Sequence, residues 1–215
     1  MKKIYFLAIF ISLFIVLNGC GKKEGAVDEK KDGKTEQKTD KKEISFSENS
    51  SYHIKYDAKS EKLKGTMDFY FKNKNAKVEV NFEEAGKKVT SSMFFENKVL
   101  YMITSLEGKK MGMKMDVSES KDASTEMINV KDKLKEYEKE GTDEVLGYKC
   151  DVYKTKEGTK LSIYKEAFAL KIVDKKGDVF VATALEQDIK IADDFFAPPK
   201  DVEYMDFSNL DKMLK

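Results

Sequence analysis

The chain has 215 residues, 40 basic and 39 acidic, for a net charge of +1, and 40% of its residues are hydrophobic. So even a balance supplies no basic excess to neutralise phosphates, which argues against nucleic acid as a partner and against a polybasic membrane patch. All forty basic residues are lysine, so the bidentate guanidinium clamp for phosphate or carboxylate ligands is absent.

The chain opens MKKIYFLAIFISLFIVLNGC. Lys2 and Lys3 form a short positive start, and Ile4 to Leu17 is an apolar run broken only by Ser12. That run has the length of a signal-peptide core and falls short of the roughly 20 residues a membrane-spanning helix needs. It ends in Leu17-Asn18-Gly19-Cys20, which resembles the lipobox of bacterial lipoproteins. The resemblance implies that residues 1–19 are a signal peptide, that cleavage falls between Gly19 and Cys20, and that Cys20 carries the lipid (a diacylglyceryl group, often with an added acyl chain such as palmitate). Two or more chains meet the condition for stable anchoring. The expected protein is therefore anchored to a membrane through its N-terminal lipid. Gly21 lacks the aspartate that signals inner-membrane retention in enterobacterial lipoproteins, which points to the outer membrane if the organism has one.

Residues 21–43 hold eight lysines and seven acids and almost nothing apolar. Such a segment cannot bury enough surface to offset its ordering entropy, so residues 20–44 are expected to be a lipidated, disordered tether. A coil of this length would reach roughly 25–30 Å.

From Ser45 a period of two dominates. Tyr52, Ile54 and Tyr56 alternate with polar residues, as do Met67, Phe69 and Phe71, and then Val78, Val80 and Phe82. Each set projects to one face of a strand. Short turn signals at Asn73-Lys74-Asn75, Gly86, Asn97, Gly108 and Gly112 imply antiparallel neighbours in a meander. VLYMI at 99–103 is apolar on both faces and reads as a central strand covered on both sides. Thr125 to Glu140 places Met127, Val130, Leu134 and Tyr137 at helical spacing, which predicts an amphipathic helix; a second short helix is expected over 207–214. Strands then resume through GYKCDVYK, Leu161 and Ile163, Leu170 and Ile172, and VFVATAL at 179–185. The expected order is about five strands, a helix, four strands and a tail, in one domain over 45–215.

Groups that carry chemistry are sparse. His53 is the only histidine, so neither a histidine-dependent triad nor a multi-histidine zinc site has its parts, and His53 reads as a surface residue. Glu83-Glu84 and Asp193-Asp194 are sequence neighbours, which on a strand point to opposite faces. With Cys20 lipidated, Cys150 has no intrachain partner, and a lone thiol is more often packed in a core than reactive. Met111, Met113 and Met115 alternate along one run, with Met67, Met93 and Met102 among aromatics. They read as filling of a curved sheet's core rather than a binding surface, and a metal-binding motif lacks an accompanying His or Cys. No enzyme activity, cofactor or metal is expected.

Residues 63–204 are similar to the LolA/LolB-like group of lipoprotein carriers and related lipid-anchored domains. The likeness rests on KGTMDFYFKNKNAKVEVNF, SSMFFENKVLYMI, the GKKMGMKM run, EVLGYKCDVYK, KLSIYKEAFALKIV and DDFFAPPKDVEYM in that order. It implies a mainly β fold: a curved antiparallel sheet, or unclosed β-barrel, with an amphipathic helix covering a concave face that holds acyl chains. The chain's own anchor and its lack of arginine fit a lipid-anchored relative better than the soluble carrier. The expected partner is therefore an acyl chain or a lipoprotein, with Met67, Phe69, Phe71, Val80, Phe82, Tyr101 and Met102 as candidate lining residues. A structural or protein-interaction module with a packed core and no small ligand is the alternative.

Overall fold

The computed structural model describes residues 43–207 apart from 60–63, 85–86, 97, 107, 118–129 and 132. The signal peptide, Gly19, Cys20, nearly all of the tether and the helix expected beyond Phe207 lie outside the described residues.

Among the described residues, twelve strands form one sheet. They are β1 Tyr52–Lys59, β2 Lys64–Lys72, β3 Asn75–Glu84, β4 Lys87–Glu96, β5 Val99–Leu106, β6 Lys109–Asp116, β7 Glu138–Val145, β8 Tyr148–Lys154, β9 Lys160–Tyr164, β10 Phe168–Val173, β11 Val179–Gln187 and β12 Tyr204–Asp206. Their order is β12-β6-β5-β4-β3-β2-β1-β11-β10-β9-β8-β7, so two meanders, β1–β6 and β7–β11, join where β1 pairs with β11. All neighbours are antiparallel except β6 and β12. β7 and β12 are the sheet's two ends and do not pair with each other, so the curved sheet is not closed into a barrel. This is the open β architecture that the LolA/LolB-like resemblance implies.

Turn chemistry sets the register. Asn73 and Lys74 (φ 50° and 67°) join β2 to β3, and Leu146 and Gly147 (φ 55° and 69°) join β7 to β8. Left-handed geometry at both central residues gives the turn whose twist matches the flanking strands.

Alternation places one continuous apolar set on one face. Tyr52, Ile54 and Tyr56 of β1, Met67, Phe69 and Phe71 of β2, and Val78, Val80 and Phe82 of β3 are all buried in the main cluster, which extends to Cys150, Tyr164, Phe168 and Leu170. Fully burying a side chain of this size contributes roughly 1.5–3 kcal/mol, so Tyr52, Phe71, Phe168 and Leu170, each with 0% exposure, are leading contributors. One register row crosses the meander and changes chemistry along its length. It runs from Leu185 through Ile54, Phe69 and Val78 to Met93, Met102, Met113 and Met205.

Three expectations are corrected here. The helix expected over Thr125–Glu140 is not formed where the chain is described: Lys133–Glu136 is a single 3-10 turn, and Glu138–Glu140 already belongs to β7. Its described apolar residues still pack, because Val130 joins Leu161 and Ile163 in a second cluster that Leu134 and Tyr137 flank. The start of β7, Glu138–Glu140, reads as helix because EKEGTDEV is charged on both faces; it is an edge strand with six of its eight residues exposed. The methionine run is not core filling throughout. Met67 and Met93 are buried, but Met111 is 52% and Met115 39% exposed, since β6 lies at the sheet's margin. His53 is not a plain surface residue either, as its contacts below make clear.

After β11 the chain straps the opposite face. Lys72 Nζ donates to the Ile191 carbonyl (2.7 Å) and to Asp193 (2.8 Å). The 3-10 turn Asp193–Phe196 then sets Phe195 edge-on against Tyr70 (4.9 Å) and beneath Lys77 Nζ (3.8 Å). Tyr204 meets Tyr101 edge-to-face at 5.3 Å before β12 pairs with β6. At this crossing a Cβ on Gly112 would lie 2.5 Å from the Glu203 carbonyl oxygen and 2.7 Å from Val202 Cγ1, so only glycine lets the strap pass. β5 is thereby covered on both faces, as VLYMI suggested, with Leu100 in the main cluster and Tyr101 under Tyr204.

Candidate functional site

The register of β10 and β11 creates an opening. β10 pairs with β11 only from Lys171↔Val181 to Val173↔Val179, whereas β11 continues to Gln187 against β1. An irregularity between Ala169 and Lys171 turns β10 away, and a second one, opposite Lys55 and Tyr56, lies in β11. Beyond Val181, no strand among the described residues pairs the side of β11 facing away from β1.

A cleft of about 440 Å³ lies along this stretch, lined by Ala184, Leu185, Glu186 and Gln187 of β11, the β7–β8 turn at Leu146, and Tyr148, Ile44 and Ile189. The volume falls within the range of small-molecule sites, and a mainly apolar lining with few polar groups is their usual character. Tyr148 stands against Tyr164 with ring centroids 4.5 Å apart, and burial, followed by the Tyr164 hydroxyl, raises its phenol above the ordinary value. Ile44 is among the first described residues, so the described chain begins at the cleft. Lys165 pairs with Glu43 beside it, and Phe46 stacks on Tyr52 with centroids 5.8 Å apart.

None of the seven candidate lining residues lines this cleft. The sheet brings six of them together: Met67, Phe69, Phe71, Val80 and Phe82 are buried in the main cluster, and Met102 packs against it. Tyr101 projects to the strapped face. The cleft residues carry no periodic signal, because the opening is made by where β10 departs rather than by any side-chain pattern.

His53 lies on the strapped face of β1. Its Nε2 is 2.8 Å from Asp68 Oδ1, its Nδ1 is 2.8 Å from Glu186 Oε2, and its ring stacks on Tyr70 at 4.5 Å and 6°. The side chain is 16% exposed because in-register neighbours on β2 and β11 crowd it. Both ring nitrogens face carboxylates, so neither is presented to a substrate proton or a metal.

Cys150 is fully buried, and its Sγ contacts the Tyr148 carbonyl at 3.4 Å. Burial pushes the thiol up to about 11, far from a thiolate at neutral pH. Asp143 lies nearby in β7. Burial alone would raise its carboxyl, but the Ser162 hydroxyl (2.8 Å), the Glu144 N–H (2.8 Å) and Lys171 (3.3 Å) outweigh that and hold it below the ordinary value. Among the described residues no three His, Cys, Asp or Glu side chains converge as a metal site would require.

The molecule is thus an open antiparallel β-sheet domain with one strapped face and an apolar cleft at an interrupted strand pair. Residues 53–164 match the family described as a domain of unknown function, DUF4412, and because this match spans just over half of the chain, the chain belongs to that family. No curated protein matches it in sequence. Among solved structures it is similar to PNGF-II (11% identity, TM-score 0.45), covering 76% of this chain and 33% of that one. It is also similar to an uncharacterised conserved protein of Thermus thermophilus (12%, TM-score 0.48; 74% and 91% covered) and to MucB (12%, TM-score 0.34; 71% and 58% covered). The chain therefore spans one third of the PNGF-II chain and under two thirds of the MucB chain.

Proposed function

We propose that this is a non-enzymatic lipoprotein of the cell envelope, anchored through Cys20, that takes an acyl chain or the lipidated end of a partner lipoprotein at the cleft beside Ile44. The cleft's position carries the reading. Its apolar walls, Ile44, Leu146, Leu185 and Ile189, stand at the N-terminal end of the described domain, the end nearest in sequence to Cys20. A ligand drawn from the membrane would therefore meet the domain on its tethered side. The non-enzymatic part is supported by the pinned His53 ring and the buried Cys150 thiol. The lipobox-like LNGC and Gly21 support an outer-membrane address where the organism has one.

Displacement of a fluorescent fatty acid tests the proposal. Saturable binding that Leu146→Glu weakens is the expected result; equal signal in both proteins counts against the cleft.

A second reading is favoured by the edge of β11 beyond Val181, which no strand among the described residues pairs. An extended segment of a protein partner can add to an unpaired strand through main-chain hydrogen bonds, with no small ligand involved. Absence of displaceable fatty-acid binding would favour this alternative.

A further inference from the structure

We propose that the methionine face of β5, β6 and β12 is a thioether site for a soft monovalent cation of the Cu(I) class. Cross-strand register brings the residues together: Met102 opposes Met113, and Met113 opposes Met205. Met111 and Met115 flank Met113 along the same strand, two residues to either side, and so share its face. Directly opposed residues on neighbouring strands stand about 5 Å apart, and alternate residues on one strand roughly 6.7 Å apart. Three rotatable bonds give each thioether ample reach to converge on one ion.

Exposure sets this face apart from the core. Every large apolar side chain exposed among the described residues is a methionine: Met111, Met115 and Met205. The same register row uses Leu185, Ile54, Phe69 and Val78 where it is buried. If the margin needed only apolar bulk, β-branched residues would suit a strand better than methionine. Methionine adds a flexible thioether sulfur, and that sulfur selects Cu(I) over harder divalent ions. The adjacent Lys114 keeps clear: it pairs with Asp206 at 3.3 Å, one residue out of phase with Met113 and Met205 and thus on the other face, and Lys109 shares the methionine face only at its end, beyond Met111. The site is separate from the cleft and does not depend on what the cleft binds.

The test uses the full chain in detergent micelles, with Cys20→Ser to remove the competing thiol and 13C-labelled methionine methyls. Ag(I) serves as an air-stable stand-in and is followed by Cu(I) under a reductant. We expect saturable shifts of the Met111, Met113, Met115 and Met205 methyls, with Met67 and Met93 unmoved. The pair Met113→Leu and Met205→Leu should weaken binding at least roughly tenfold. These swaps nearly conserve volume and apolar area, so a surface that merely binds apolar partners would not notice them. Met111→Leu changes a side chain that is 52% exposed, and it should weaken binding partially. Unmoved methyls, shifts confined to Met1, or unchanged affinity in the leucine variants would overturn the proposal.

Discussion

The Tyr56 hydroxyl donates to the Ala169 carbonyl at 2.9 Å, a bond that runs from β1 past β11 to β10. It closes the corner of the opening. Ala169 lies beyond the last residue of β10 that pairs with β11, so its carbonyl has no ladder partner on that side. Burial raises the Tyr56 phenol further above its ordinary value, so it stays protonated and able to donate. Tyr56→Phe should leave a partly buried carbonyl unsatisfied and cost about 1 kcal/mol, the low end for an orphaned acceptor. Urea unfolding would read this as a lower midpoint at unchanged slope; an unchanged midpoint would mean that the bond does not hold the corner.

Gly112 should tolerate no side chain. Gly112→Ala puts a methyl against the Glu203 carbonyl and Val202, which is expected to displace β12 and cost about 1–3 kcal/mol. The readout is hydrogen exchange at the Phe207 amide, which donates to the Lys114 carbonyl at 2.8 Å. Faster exchange there, with β1 and β2 still protected, is the expected pattern.

Cys150 should be inert. In native protein carrying Cys20→Ser, a thiol reagent near neutral pH should leave Cys150 unlabelled and should label it on unfolding. Rapid native labelling would contradict the burial that pushes this thiol up to about 11.

Asp143 should contribute to the acid limb of stability. Its carboxyl is held below the ordinary value in the fold, so its contribution is present above the unfolded value of about 4 and is lost as pH falls through the depressed one. Asp143→Asn should therefore flatten the decline in stability below about pH 4. A parallel decline in both proteins would show that the Ser162 and Lys171 contacts do not matter to folding.

Much of the sheet is legible in the sequence because a half-buried strand writes its burial as alternation: Tyr52, Ile54 and Tyr56 name the inner face of β1 without help from the rest of the chain. β7 is not legible, since an edge strand exposed on both faces has no reason to alternate. The helical spacing of Val130, Leu134 and Tyr137 reflects a real shared packing surface, but a 3-10 turn is enough to deliver it. The cleft is invisible for a different reason. It depends on where β10 stops pairing with β11, and its lining mixes residues from both faces of β11 with a turn and the domain's entry segment. Gly112 looks like a turn signal until the strap is seen to cross it.

Whether an acyl chain seats in the cleft beside Ile44 is decided by titrating a long-chain fatty acid into the chain with labelled isoleucine and leucine methyls. Saturable shifts are predicted at Ile44, Leu146, Leu185 and Ile189, the apolar walls of the cleft. Shifts that leave these four methyls unmoved, or no shifts at all, would contradict an acyl site there.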